Sequence, residues 1–194
     1  MAALALIFFA ALSLNLFLNF ALGIKELILR ERPPGIMLYY PWIILFISTL
    51  ILWVFFARIL FFTGGILDFI LIFPLSVLVS MGLEILFFRF FSNLTGHEEK
   101  TNLFSAGSPY NGLSAAALFL TLHFSASFTD AFLLSLAFSA GSLLAFLIIK
   151  EIQKRSFLEA IPYGLRGIPM LLISMGLLAL VFSAASVFFL KIFL

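Results

Sequence analysis

The chain has 194 residues, of which 64% are hydrophobic and 10% charged, with a formal net charge of +2. Soluble domains run at about 45–50% apolar and about 25% charged. This composition therefore excludes a soluble globular enzyme, a disordered tail and a nucleic-acid binder, and points to an integral membrane protein lying in the lipid bilayer. Cysteine is absent from the sequence, which removes disulfides, thiolate metal sites and Cys-ligated clusters.

A spanning helix needs about 20 mostly apolar residues, and the charges punctuate this chain at that spacing. Residues 1–24 carry no charge, and Lys25, Glu26, Arg30, Glu31 and Arg32 follow as a polar loop ending in Pro33-Pro34-Gly35. Residues 33–57 are uncharged up to Arg58; a Thr63-Gly64-Gly65 turn then leads into 66–88, whose only charges are Asp68 and Glu84. A polar stretch with Arg89, Asn93, His97, Glu98, Glu99 and Lys100 precedes an uncharged run to Thr129. Asp130 opens the next apolar segment, Lys150 to Arg166 form a charged loop, and 167–190 are uncharged before Lys191. The expectation is an all-α protein with six spans near 2–24, 36–57, 66–88, 103–123, 130–149 and 168–190. Uninterrupted apolar runs favour helices over barrel strands, which alternate apolar and polar.

Orientation follows from Lys and Arg. The first, third and fifth loops hold three, two and four basic residues, while the remaining flanks hold only Arg58 and Lys191. The odd loops are expected in the cytoplasm and both termini outside, which is a multi-pass protein of a bacterial or archaeal cytoplasmic (inner) membrane. No basic residue precedes the first span, which argues against a cleaved signal peptide. Trp42, Tyr39 and Tyr40 fall near the inner interface and Trp53 near the outer one, as aromatic belts do.

A shift of 96 residues repeats the layout: the second and third spans map onto 132–153 and 162–184, and Asn15 maps onto Asn111. The chain then reads as a single membrane domain, 1–194, with pseudo-repeats about 1–97 and 98–194. Three spans per half is odd, so the halves must be inverted, an arrangement of many transport proteins.

Few polar residues lie inside the spans. Glu84 is a carboxylate in an apolar span, costing about 2.5–3.5 kcal/mol at the bilayer centre and less near an interface. It reads as an ion or proton site, or as an interfacial carboxylate that snorkels. Asn15 and Asn19, at i and i+4, share one face of the first span; their amides bond across helices or to a broken backbone. Asp68 and Asp130 sit at outer span ends, with a pairing of Asp68 and Arg58 as one alternative. The stretch Ser105 to Gly112 holds Gly107, Pro109, Asn111 and Gly112, unusual for a spanning helix. It reads as a broken helix at a site, or as a re-entrant entry loop without chemistry. No Ser/His/Asp set, P-loop or clustered metal ligands is visible, and His97 and His123 are isolated, so no autonomous active site and no metal site is assigned. The basic loop 150–166 is either a docking surface or plain cytoplasmic retention.

The C-terminal part carries a resemblance. Lys150-Glu151, then Ile161-Pro162-Tyr-Gly-Leu-Arg166-Gly167-Ile168-Pro-Met-Leu-Leu-Ile-Ser-Met-Gly176-Leu-Leu-Ala-Leu-Val-Phe182, resembles the last loop and helix of the RnfA/NqrE family. These are membrane subunits of the Rnf and sodium-pumping NADH:quinone reductase complexes. The resemblance implies six spans, an outward N-terminus and an inverted repeat. It places the family's third-helix Glu on Glu84, its two Asn residues on Asn15 and Asn111, and its Leu-Gly-Leu on Leu22-Gly23-Ile24. It implies a part in redox-driven translocation of Na⁺ or H⁺, and partners that are other membrane subunits, above all a homologous subunit of inverted topology. Flavins and iron–sulfur clusters are then expected in partner subunits, with none bound by this chain alone. The family's two cluster cysteines fall on Lys25 and Gly112, neither of which ligates iron as thiolate does. A divergent member without its own cluster is one expectation; a substrate-binding membrane subunit of a vitamin-type transporter is the other, since size and span number fit it as well.

Overall fold

The computed structural model describes residues 7–19, 40–58, 66–95, 110–156, 162, 165 and 167–193; within these, nothing is described of the side chains of Asp68, Glu84 and Asn111. Every regular element among them is helical. A π-helical turn, Phe9–Ser13, precedes α1 (Leu16–Asn19). Then come α2 (Tyr40–Arg58), α3 (Ile66–Thr95), α4 (Tyr110–Phe124), α5 (Phe128–Ser156) and α6 (Ile168–Phe193). Three helices among the described residues are long and apolar enough to cross a membrane: Pro41–Arg58, Phe128–Ser156 and Ile168–Phe189. Three further apolar stretches, Phe9–Asn19, Ile70–Leu83 and Leu113–Phe124, are shorter.

Local chemistry explains several boundaries. Pro41 and Pro169 each stand in the first turn of a helix, where a missing N–H costs nothing. Gly167 has φ +82° and its carbonyl accepts the Leu171 N–H at 3.1 Å, so a residue that tolerates the left-handed region starts α6. Just upstream, Leu165 N–H donates to the Pro162 carbonyl at 2.9 Å, closing a turn. Pro162 and Leu165 thus close a turn, and Gly167 starts the helix. At α5, Ser127 Oγ accepts from Asp130 N–H at 3.2 Å while Asp130 Oδ2 accepts from Ser127 N–H at 3.2 Å and Ser127 Oγ–H at 2.8 Å. This is a reciprocal capping box, and it gives Asp130 a defined role at its span end. Pro74 lies inside α3 and removes one donor from its ladder.

The contacts divide the chain into two compact units, residues 1–33 with 136–194, and residues 34–135; α5 begins in the second and ends in the first. In the second unit α2, α3 and α4 pack mutually around Leu52, Phe56, Ile72 and Leu118. Trp53 Nε1–H donates to Ser125 Oγ at 2.5 Å, and Phe46 meets Phe132 edge-on at 5.4 Å. In the first unit the π-helical turn and α1 pack on α6, with Phe8 stacked on Phe189 at 4.5 Å.

Both units place hydroxyls inward and large apolar side chains outward. Ser48, Thr49, Ser76, Ser80, Thr121 and Ser135 are buried and bond carbonyls three or four residues back. Ile70, Leu78, Leu86, Leu177, Leu180 and Phe188 are each more than 60% exposed. Small and hydroxyl residues at helix interfaces under an apolar exterior suit a bilayer rather than water.

Candidate functional site at the break in the first helix

The first apolar stretch, Phe9–Asn19, is not one regular helix. Leu14 N–H donates to the Phe9 carbonyl at 3.1 Å, a bond five residues back, and Leu14 itself leaves helical geometry at φ −93°, ψ 29°. Asn15 then starts α1. An Asn side chain competes with the helix ladder for backbone groups, and here it wins.

The Asn15 amide is saturated. Its Oδ1 accepts from the N–H groups of Phe17 (3.2 Å) and Leu18 (3.3 Å), the second and third positions of α1 that a capping side chain serves. Its Nδ2 donates to the Ala11 carbonyl at 3.0 Å and to the Gly141 carbonyl of α5 at 2.8 Å. Asn19 Nδ2 donates to the Ser13 carbonyl at 2.5 Å, and Asn19 N–H to the Asn15 carbonyl at 2.9 Å. An interruption deep in an apolar segment leaves backbone groups that lipid cannot satisfy. Asn15 and Asn19 satisfy four of them, the Ala11 and Ser13 carbonyls and the Phe17 and Leu18 N–H groups.

Gly141 makes the approach of the two segments feasible. A Cβ there would stand 2.8 Å from Ala11 Cα and 2.9 Å from Ala11 C, and nearer still to its oxygen, so backbone meets backbone. Phe17, fully buried, sits edge-on to Phe146 at 6.1 Å. Ser142 is fully buried, and its Oγ has no hydrogen-bond partner among the described residues. Asn15 is thus a clamp with no spare valence. It fixes where the chain turns and does not itself offer a ligand.

Asn15 and Asn19, expected on one face, are joined by an i to i−4 backbone bond and differ in burial. Asn15 is 2% exposed at the break, whereas Asn19, one α-helical turn on, is exposed. Asn111 and Gly112 lie in the first turn of α4, so the interrupted stretch expected near 105–112 does not extend past residue 109. Gly107, Pro109 and Lys25 lie outside the described residues, and Glu84 falls within α3. Asn15 belongs to the first compact unit; Glu84, Asn111 and Gly112 belong to the second. Gly112 has no side chain and the chain has no cysteine, so no thiolate is present there to ligate iron. Gly141, Ser142 and the Ser127–Asp130 cap were not singled out from the sequence. The Ser139-Ala-Gly-Ser142 run of small residues inside a span and the Ser-x-x-Asp spacing are the signals that mark them.

No protein-family model matches the chain, and no match is found among curated proteins.

Proposed function

We propose that the chain is a membrane subunit of an Rnf/Nqr-like redox-driven ion-translocating complex in which electrons bypass this subunit. The observation that carries the proposal is the interrupted first helix, held by a saturated Asn15 against the Gly141 backbone. Discontinuous helices inside apolar segments are how many transport folds build a midplane site. The C-terminal resemblance, from Lys150-Glu151 through Phe182, narrows that class to the redox-driven complexes.

In this proposal the three spanning helices and three shorter apolar stretches form six spans, three inverted against three, with both termini outside a bacterial or archaeal cytoplasmic membrane. Asn15, at the break, and Asn111, in the first turn of α4, belong to the midplane scaffold, and Glu84 is the ionisable element of the pathway. Flavins and iron–sulfur clusters belong to partner subunits, among them a homologue of inverted topology.

The lack of cysteine favours a second reading, a substrate-binding membrane subunit of a vitamin-type transporter, which needs no electron path. Copurification from native membranes separates the two. Flavoprotein and NADH-oxidising partners support the complex, and a pair of ATPase subunits supports the transporter. Iron held between this subunit and its homologue, and lost on changing Lys25 or Gly112, would overturn the cluster-free assignment.

A further inference from the structure

The second unit contains a cavity of about 840 Å³ at the end of α2, bounded by the end of α4 and the turn into α5. That volume lies within the 300–1,000 Å³ typical of small-molecule sites. Its lining divides by chemistry. Trp53, Phe56, Phe119 and Phe128 give an aromatic wall, while Arg58, His123, Ser125 and Ser127 bring polar groups. Arg58 is the one formal charge among the described lining residues, and no carboxylate is among them. The nearby Asp130 carboxylate is engaged with Ser127 in the α5 cap. No ion pair of Arg58 is found among the described residues, and its side chain is exposed.

Position adds to composition. Pro41–Arg58 is of spanning length, so Arg58 stands at its end, where apolar core gives way to headgroups. Trp53, one turn inside, is the kind of residue that sits at that depth. An apolar wall below a guanidinium with five donors matches an amphiphile with a phosphate head.

We propose that this cavity binds an anionic phospholipid, with its phosphate on Arg58 and its proximal chain against Trp53, Phe119 and Phe128. The site is separate from the helix break and does not depend on the redox assignment.

Trp53 reports on the site. The chain has two tryptophans, so Trp42→Phe leaves Trp53 as the sole emitter. The protein is titrated in mixed micelles with chain-brominated phosphatidylglycerol or chain-brominated phosphatidylcholine, following Trp53 quenching. Phosphatidylglycerol should quench at a concentration about fivefold lower, the preference one arginine confers at a lipid surface. Arg58→Gln should bring the ratio to near one, Arg58→Lys should retain most of it, and Arg155→Gln should leave it unchanged. Equal quenching by both lipids before mutation, or a preference surviving in Arg58→Gln, would overturn the proposal. Inorganic phosphate in excess should leave the preference intact; its abolition would assign the cavity to free phosphate and overturn the lipid assignment. Wild-type protein, with Trp42 retained, should show the same ratio on a larger unquenched background.

Discussion

Replacing Asn15 tests whether the break in the first helix is built or incidental. Asn15→Ala removes the cap on the Phe17 and Leu18 amides and the bond to the Gly141 carbonyl. A lost cap costs about 0.5–2 kcal/mol, and an interhelical hydrogen bond in a membrane about 0.6–1.7 kcal/mol. The expected loss is therefore roughly 1.1–3.7 kcal/mol. Asn15→Ser keeps an acceptor for the cap but is too short to reach α5, so it should fall between wild type and Ala. Asn15→Asp keeps the accepting oxygen and turns a second acceptor onto the Ala11 and Gly141 carbonyls, which are 3.0 and 2.8 Å from Nδ2. It should destabilise at least as much as Ala. Thermal unfolding in detergent, read by circular dichroism and by retention on size exclusion, gives the order, with about 2–4 °C expected per kcal/mol for a chain of this length. If Ala unfolds within about 0.5 kcal/mol of wild type, or if Asp matches wild type, the clamp does not hold the break.

Gly141→Ala should cost about 1–3 kcal/mol, because the added methyl meets Ala11 backbone that cannot move aside as a side chain would. Gly82→Ala and Gly176→Ala, where a Cβ meets nothing within 4 Å, should be neutral or stabilising by up to about 1 kcal/mol in the same thermal assay. Asp130→Ala breaks the α5 capping box and should lower stability by about 0.5–2 kcal/mol, with Ser127→Ala no more than additive to it. Trp53→Phe removes the bond to Ser125 and should cost about 1 kcal/mol, measurable by the same unfolding series. Glu151→Gln breaks only an exposed pair with Arg155 (3.1 Å, side chains 54% and 75% exposed), so stability should change by less than about 0.5 kcal/mol. A loss of activity in that variant would then report on docking or function and not on folding.

The helices were legible because apolar run length and the spacing of charges are one-dimensional signals. The apolar segments around α2, α3, α5 and α6 all lie where charge spacing puts them. The break at Leu14–Asn15 was not legible, because Ala10-Ala-Leu-Ser-Leu14 contains no Gly or Pro. What breaks the helix is a tertiary bond, Asn15 to the Gly141 carbonyl 126 residues away, together with the close approach that Gly141 permits. The Pro and Gly clustered at 105–112 point to an interruption there; of that stretch Tyr110 to Gly112 open α4, and 105–109 lie outside the described residues. Asp130 read as an interfacial charge because its capping partner, Ser127, is visible only when the Ser-x-x-Asp spacing is set beside a helix start. Arg58 and His123 read as unrelated span-end residues; helix packing brings both to one cavity.

The most direct test of the central claim is ion uptake driven by a reduced donor in membrane vesicles carrying wild-type, Glu84→Gln or Asn15→Ala subunit at matched amounts. Donor oxidation and Na⁺ or H⁺ uptake are followed together, with NADH as the first donor. The redox-driven assignment predicts that wild type couples the two and that both variants lower uptake per donor oxidised. Uptake that is independent of the donor, or unchanged in both variants, would contradict it.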